Sequence, residues 1–320
     1  MKNSISAVLA CILAAYLAVC PCSADPINFE ISGMTALPDG QSFLTVLDTK
    51  TGPEPPWSTR AGVMRVSKEG VLLYQPFAIT DWGYGEELPN DLEACCSIPG
   101  RPNEYLLAES GYYKGRFGRI FHIRLGTVEG SAIYTGEVLG SFKPEPKPTP
   151  DYTTPGPRQF EGIACLQQGE RWVVVLGRRG GDGQAGGLVW GDLTFPGLNF
   201  RATAEVPFHS KPEEAGLRGC ADLLLVEREG KQILLRVAAA DPADFGPFYS
   251  YVCETGEFRF EGQKLRYIPS QDPVVWWHLD GLKVEALAPC NLGAARYCIG
   301  TDDETFGGAW RPLPAPRFLR

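Results

Sequence analysis

Helix-forming periodicity is almost absent from this 320-residue sequence. Beyond the N-terminal stretch, nothing longer than a few residues repeats with a helical period. That excludes helical bundles and alternating α/β folds. Histidine is scarce, with only His122, His209 and His278, and no Gly-x-Ser-x-Gly elbow is present, so a His-based nucleophilic triad has few members to draw on. There is no Cys-x-x-Cys and no neighbouring His pair, which removes the usual zinc sites. Clustered Lys and Arg are missing too. With 30 basic against 38 acidic residues and a formal charge of −8, nucleic acid is a poor partner and a cation site a better one.

Long apolar runs are confined to the N-terminus. Lys2, the apolar stretch Ala7 to Val19 and the small residues Ser23-Ala24 after Cys22 read as a secretory signal peptide over 1–24, leaving one domain over 25–320. A retained anchor is the alternative, but the stretch is short for a span. Lipidation at Cys20 is disfavoured by the bulk of Val19 before it. The expected location is secreted or periplasmic, with no stable membrane span once the leader is gone. Removal of Lys2 takes the charge to −9 by subtraction. Three of ten cysteines leave with the leader, so seven remain and at least one thiol is left over. An oxidising compartment favours bridges, and Cys290 with Cys298, flanking one expected hairpin turn, is the preferred pair. Cys95, Cys165 and Cys220 read either as bridge partners or as small apolar fillers on inner strands.

What is abundant is a repeat. A short apolar segment recurs five times: Ile31-Ser32-Gly33-Met34, Leu92-Glu93-Ala94-Cys95, Phe160-Glu161-Gly162-Ile163, Leu217-Arg218-Gly219-Cys220 and Val284-Glu285-Ala286-Leu287. Its second positions are 61, 68, 57 and 67 residues apart. A turn and a second β-rich run follow each copy: Ser42 to Leu47, Glu104 to Ala108, Arg171 to Leu176, Lys231 to Val237 and Ala295 to Gly300. Third and fourth runs follow in the first four copies, such as Gly118 to Leu125 and Ser131 to Leu139, bounded by Gly, Pro, Asp and Asn. Repeated four-stranded units without crossover helices predict an all-β β-propeller. Five blades are expected, with six the alternative if a loop hides a degenerate copy. Ile27 to Ile31 would complete the short fifth unit and close the ring.

Rotational symmetry would bring Glu93, Glu161, Arg218 and Glu285 to one rim. A second charged column ends the second strands: Asp48, Glu109, Arg178 with Arg179, Asp241 with Asp244, and Asp302-Asp303-Glu304. Crowded carboxylates repel unless a cation, a proton or arginines intervene. Hard oxygen ligands in this number suit Ca²⁺, with Glu93, Glu161, Glu285 and Asp302 as candidate ligands and Glu161, Asp302 and Asp303 as candidate catalytic groups. A blander role is that each polar residue holds neighbouring backbone and keeps the blades in register. The Gly-rich loop after Arg178-Arg179 is not a P-loop, having no Gly-Lys-Ser or Gly-Lys-Thr ending, but with Arg218 it could hold an anion. His278, placed in the loop before Glu285, is the one histidine expected to reach the rim. Paired carboxylates for glycoside hydrolysis are a further reading, with Trp57, Trp82, Tyr112, Trp276 and Trp277 as sugar-stacking surface.

The phrases Asp91-Leu-Glu-Ala94, Phe160-Glu-Gly-Ile-Ala164, Leu217-Arg-Gly-Cys-Ala-Asp222 and Val284-Glu-Ala286 with Thr301-Asp-Asp-Glu304 resemble a group of secreted propellers and the phytase-like families, including the esterase-like activity of phytase. The resemblance implies several Ca²⁺ ions at one face holding a phosphomonoester, a bridging water as nucleophile, and Arg178, Arg179 or Arg218 as the phosphate clamp. The chain departs from that pattern in its five units and in having few lysines near the mouth. Two functions follow as expectations: a Ca²⁺-dependent hydrolase of a phosphate ester or similar anion, or a non-enzymatic module that binds a partner or glycan around a structural cation. The Pro-rich stretch Lys143 to Pro150 suits the second reading, or is simply a stiff loop.

Overall fold

The computed structural model describes residues 30–48, 60–67, 71–77, 79, 82, 88–111, 117–144, 159–180, 186–196, 198–208, 217–242, 245–262 and 264–316. The expected leader, Asp244, Trp57, Tyr112, Gly181 to Gly183 and most of the Pro-rich stretch lie outside these residues.

Five antiparallel sheets stand in chain order, each a simple meander. The first contains β1 (Gly33–Ala36), β2 (Ser42–Val46), β3 (Ala61–Val66) and β4 (Leu72–Pro76). The second contains β5 (Leu92–Ser97), β6 (Glu104–Glu109), β7 (Ile120–Thr127) and β8 (Tyr134–Phe142). The third runs through β9 (Phe160–Gln168), β10 (Arg171–Arg178), β11 (Gly187–Thr194) and β12 (Asn199–Pro207). The fourth is built from β13 (Leu217–Arg228), β14 (Lys231–Ala240), β15 (Tyr249–Glu261) and β16 (Lys264–Asp280). The fifth holds β17 (Val284–Leu292), β18 (Ala295–Thr301) and β19 (Trp310–Leu313). The first strands β1, β5, β9, β13 and β17 each touch the next, and β17 touches β1, which closes a ring of five blades.

The core explains why the second strands are apolar without alternation. Each strand in the middle of a blade has both faces covered by neighbouring blades, so both parities must be apolar. On β6, Tyr105 and Leu107 join a cluster with Val46 and Val63 of the first blade. Leu106 and Ala108 face the other way, onto Ile163 and Val174 of the third. Three further clusters lie between blades three and four, four and five, and five and one. Every interface is thus a sheet-on-sheet core, and each fully buried Leu or Phe stabilises it by about 1.5–3 kcal/mol.

The small third residue of the repeat is set by the approach of the next blade. A Cβ on Gly33 would stand 2.7 Å from the Ala94 backbone, and one on Gly162 would stand 2.7 Å from Leu223. Ala94 and Ala286 are fully buried at the equivalent places. Ring closure uses the same contact, since a Cβ on Gly300 would meet Ile31 at 2.5 Å, while the Ile31 N–H donates to the Thr301 carbonyl at 3.0 Å. The expected closing strand Ile27 to Ile31 falls mostly outside the described residues. Of it, Glu30 and Ile31 lie in no strand.

Two expectations are corrected. Cys290 and Cys298 are free thiols, as are the other five described cysteines. The two still meet: Cys298 pairs across the sheet with Ala288, and past the irregularity between Pro289 and Leu292 the Cys290 thiol lies in hydrogen-bonding contact with that of Cys298. Trp82, Trp276 and Trp277 are buried in interblade cores and offer no stacking surface. Among the described residues, no helix is long and apolar enough to cross a membrane.

Candidate functional site

A shared backbone defect aims the charged column into the channel. Leu92 pairs with Glu109 and Ala94 with Ala108, leaving Glu93 as an extra residue. Glu161 is skipped in the same way between Phe160 and Gly162, and Glu285 between Val284 and Ala286. In the fourth blade the irregularity is wider, running from Arg218 to Asp222. Such a bulge takes one side chain out of the alternation and turns it. Asp222, fully buried at the end of the wide bulge, ties blades four and five by accepting the Leu223 and Leu287 N–H groups, both at 2.7 Å.

The bulges open onto a cavity of about 180 Å³ lined by Asp48, Asp91, Glu93, Glu285, Asp302 and Glu304 on the acidic side, and by Arg179, Arg218 and Lys283 on the basic side, with Ser110 and Gln159. Lys283 is its centre. Its ammonium lies 3.0 Å from Glu285 and 3.1 Å from Asp302, with Asp241 at 3.7 Å and Glu304 in closer contact still. Arg218 reaches Glu285 at 3.1 Å and is bonded to Asp241. Arg179 bonds Glu161 at 2.9 Å. Burial alone would depress the Lys283 and Arg218 acids, but the carboxylates around them reverse this and raise both pKa values.

The carboxyls are pushed the other way. Burial, helped by Asp302 and Glu161 and opposed by Lys283 and Arg218, raises Glu285 to about 8. Burial and then Asp91, Glu161, Glu285 and Asp48 hold Glu93 well above the usual carboxyl range. Glu93 has no hydrogen-bond partner among the described residues and is half-buried, facing the cavity. Because an acid with a raised folded pKa binds more protons folded than unfolded, it costs stability as pH rises. Glu285→Gln is therefore expected to gain stability relative to the unaltered protein as pH goes from 4.5 to about 8. Urea unfolding of both proteins at a series of pH values checks this, and a pH-independent difference would refute it.

Of the predicted residues, Glu93, Glu285, Asp302, Arg179 and Arg218 line one cavity, and Glu161 stands behind Arg179. Three are placed elsewhere. Arg178 turns outward to Glu205 on β12, 2.8 Å away, because adjacent residues of a strand point to opposite faces. Asp303 accepts the Lys283 N–H at 2.7 Å and the Thr301 hydroxyl at 2.8 Å, which ties the turn after β18. His278 lies within β16, the outermost strand of its blade, exposed and stacked on Tyr251 at 4.4 Å beside Asp280. Lys283 and Asp91 are the residues that sequence reasoning missed. Asp91 carries a left-handed backbone, φ +68°, two residues before Glu93. That is strain of the kind found where side chains are held for function.

The residues do not fit calcium. Among those described, no group of three or more His, Cys, Asp or Glu could hold a metal ion. A Ca²⁺ site needs six to eight free oxygens, whereas Glu285 and Asp302 are occupied by Lys283 and Arg218. Protein cations pair with Glu161, Glu285 and Asp302 instead.

No family model matches the chain, and no curated protein matches it. Among solved structures, an exo-1,5-α-L-arabinanase from a bovine ruminal metagenomic library superposes with a TM-score of 0.49 at 10% identity, covering 91% of this chain and 94% of that one. Sqt1 from Chaetomium thermophilum superposes at 0.39 and 10% identity, over 87% of this chain and 68% of that one. At these scores neither likeness bears on chemistry, and the five-bladed ring stands on the strand pairing described above.

Proposed function

We propose that the channel mouth binds the end of a small, neutral, hydroxyl-rich substrate of glycan type and hydrolyses it by carboxyl acid–base chemistry, with Glu93 as the proton donor and Asp91 as the second carboxyl. The observation that carries this reading is Glu93: a carboxyl with no hydrogen-bond partner among the described residues and a raised pKa, on a bulge facing a cavity. A perturbed acid in a concave polar site is the usual mark of a catalytic group. Glycoside hydrolysis needs such an acid beside another carboxyl.

The lining also bears on the substrate. Six carboxyls face three cations, so a phosphate ester, as the phytase-like resemblance would suggest, meets net repulsion and finds its candidate clamps already in ion pairs. Sugar hydroxyls both donate and accept and suit a wall of alternating carboxylates and ammonium groups. A second reading has its own support. All three cations are engaged by protein carboxylates, which fits a module that binds a glycan without turnover.

The expected result is release of chromophore from one member of a panel of aryl glycosides, unchanged by EDTA. Binding of oligosaccharides without turnover of any panel member would favour the second reading and end the first. Action outside the cytoplasm, which the expected N-terminal leader would bring about, belongs to the same proposal.

A further inference from the structure

A second cavity, of about 420 Å³, lies on the opposite rim between blades two and three. Its position follows from the meander. The channel mouth is formed where β10 ends at Arg178, whereas this cavity is lined by Trp172 near the start of β10, by Phe195 and Leu198 of the β11–β12 turn and by Arg101 of the β5–β6 turn. Its size is that of a small-molecule site.

The walls are built rather than incidental. Trp172 donates its indole N–H to the Pro99 carbonyl at 2.8 Å, which fixes the ring, and Phe195 stands edge-on to it at 5.3 Å. His122 meets the same Phe195 edge-on at 5.0 Å. The Arg101 guanidinium lies over Phe195 at 4.4 Å and over Trp172 at 5.9 Å. Only its Nε is spent, on Glu104 at 2.5 Å, and its terminal nitrogens have no hydrogen-bond partner among the described residues. Glu104, nearly buried, is in turn saturated by Arg101, by His122 at 2.8 Å and by Arg124 at 3.1 Å. Burial keeps the His122 pKa below its ordinary value, so at neutral pH the ring is uncharged and its Nε2–H donates to Glu104. The cavity therefore presents flat aromatic walls and one guanidinium edge with donors to spare, and its one nearby carboxylate is already used.

We propose that this cavity is a binding site for a small planar aromatic carboxylate, the ring lying against Trp172 and Phe195 and the carboxylate taking the free nitrogens of Arg101. A guanidinium edge matches a carboxylate in geometry and charge. Aromatic walls supply the apolar contact that an aliphatic anion would waste. The site is distinct from the channel mouth and does not depend on the reading given to Glu93.

Calorimetric titration of the full chain with benzoate, benzamide and acetate tests it. Benzoate is expected to bind saturably at one site, with benzamide and acetate each at least about tenfold weaker. Arg101→Gln should weaken benzoate by at least about tenfold, and Glu93→Gln should leave it unchanged. Ser141 also lines the cavity, and Ser141→Phe, which fills it and leaves the Arg101 side chain unaltered, should abolish binding and serves as the test if the Arg101 variant does not fold. Absence of saturable benzoate binding, equal affinity for benzamide or acetate, or unaltered binding in a folded Arg101 or Ser141 variant would each overturn the assignment.

Discussion

Lys283→Met is expected to destabilise the protein by about 3–5 kcal/mol, the range for removing one partner of a buried ion pair. The ammonium is almost wholly buried and sits among Glu285, Asp302, Asp241 and Glu304, which come from blades four and five and the turn after β18. Methionine keeps most of the stem volume, so the loss reports charge and not a cavity. The carboxylates left behind would face one another across a medium that screens poorly. Arg218 still bonds Glu285 and Asp241, but Asp302 and Glu304 lose their cation. The sign with pH is fixed by linkage. Loss of the ammonium favours the protonated form of the buried carboxyls around it, so the variant holds protons when folded that the unaltered protein does not, and its deficit grows as pH rises. Denaturant unfolding at pH 4.5 and pH 8 distinguishes this from simple loss of packing, which would give one deficit at both.

The ring was legible because its cause is local. Both-face burial makes second strands such as Val173 to Leu176 unbroken apolar runs, and close blade approach demands Gly or Ala at the same position of each copy. Those constraints act on each copy separately, so they survive as a repeat. Convergence of Glu93, Glu285 and Arg218 on one mouth followed from the symmetry. What stayed hidden is set by contacts between copies. Lys283 stands one residue before the fifth repeat and has no counterpart in the others, so nothing in the local pattern marks it as the neutralising charge. A count of carboxylates therefore pointed to calcium where the fold supplies an ammonium. His278 was misplaced for a different reason. Pro269 and Pro273 lie inside β16 without ending it, because β16 is the outer edge of its blade, where a missing N–H removes no ladder bond on the open side. Cys290 and Cys298 do meet across the hairpin that they flank, but as hydrogen-bonded free thiols, with no bridge between them.

Glu93→Gln carries the proposed chemistry most directly. If Glu93 donates the proton, kcat on the best aryl glycoside is expected to fall by about 10²–10⁴-fold, the usual contribution of general acid catalysis, with KM changing little because glutamine retains the shape and the hydrogen-bonding capacity. On that proposal the unaltered protein should lose activity on the alkaline side as Glu93 ionises, at a pH above the ordinary carboxyl value of 4.5, since burial and the neighbouring Asp91 favour its protonated form. That limb should vanish in the variant. A residue that served only to hold the blades in register would behave otherwise, lowering stability while leaving the pH profile of the remaining activity unmoved. Here the expectation for stability is the reverse: Glu93 has no hydrogen bond to lose among the described residues, and removing a poorly solvated acid from beside Asp91 and Glu285 should stabilise the fold increasingly as pH rises above about 4.5. Loss of turnover together with a pH-dependent gain in stability is an outcome that a catalytic carboxyl in this cavity produces and a structural one does not.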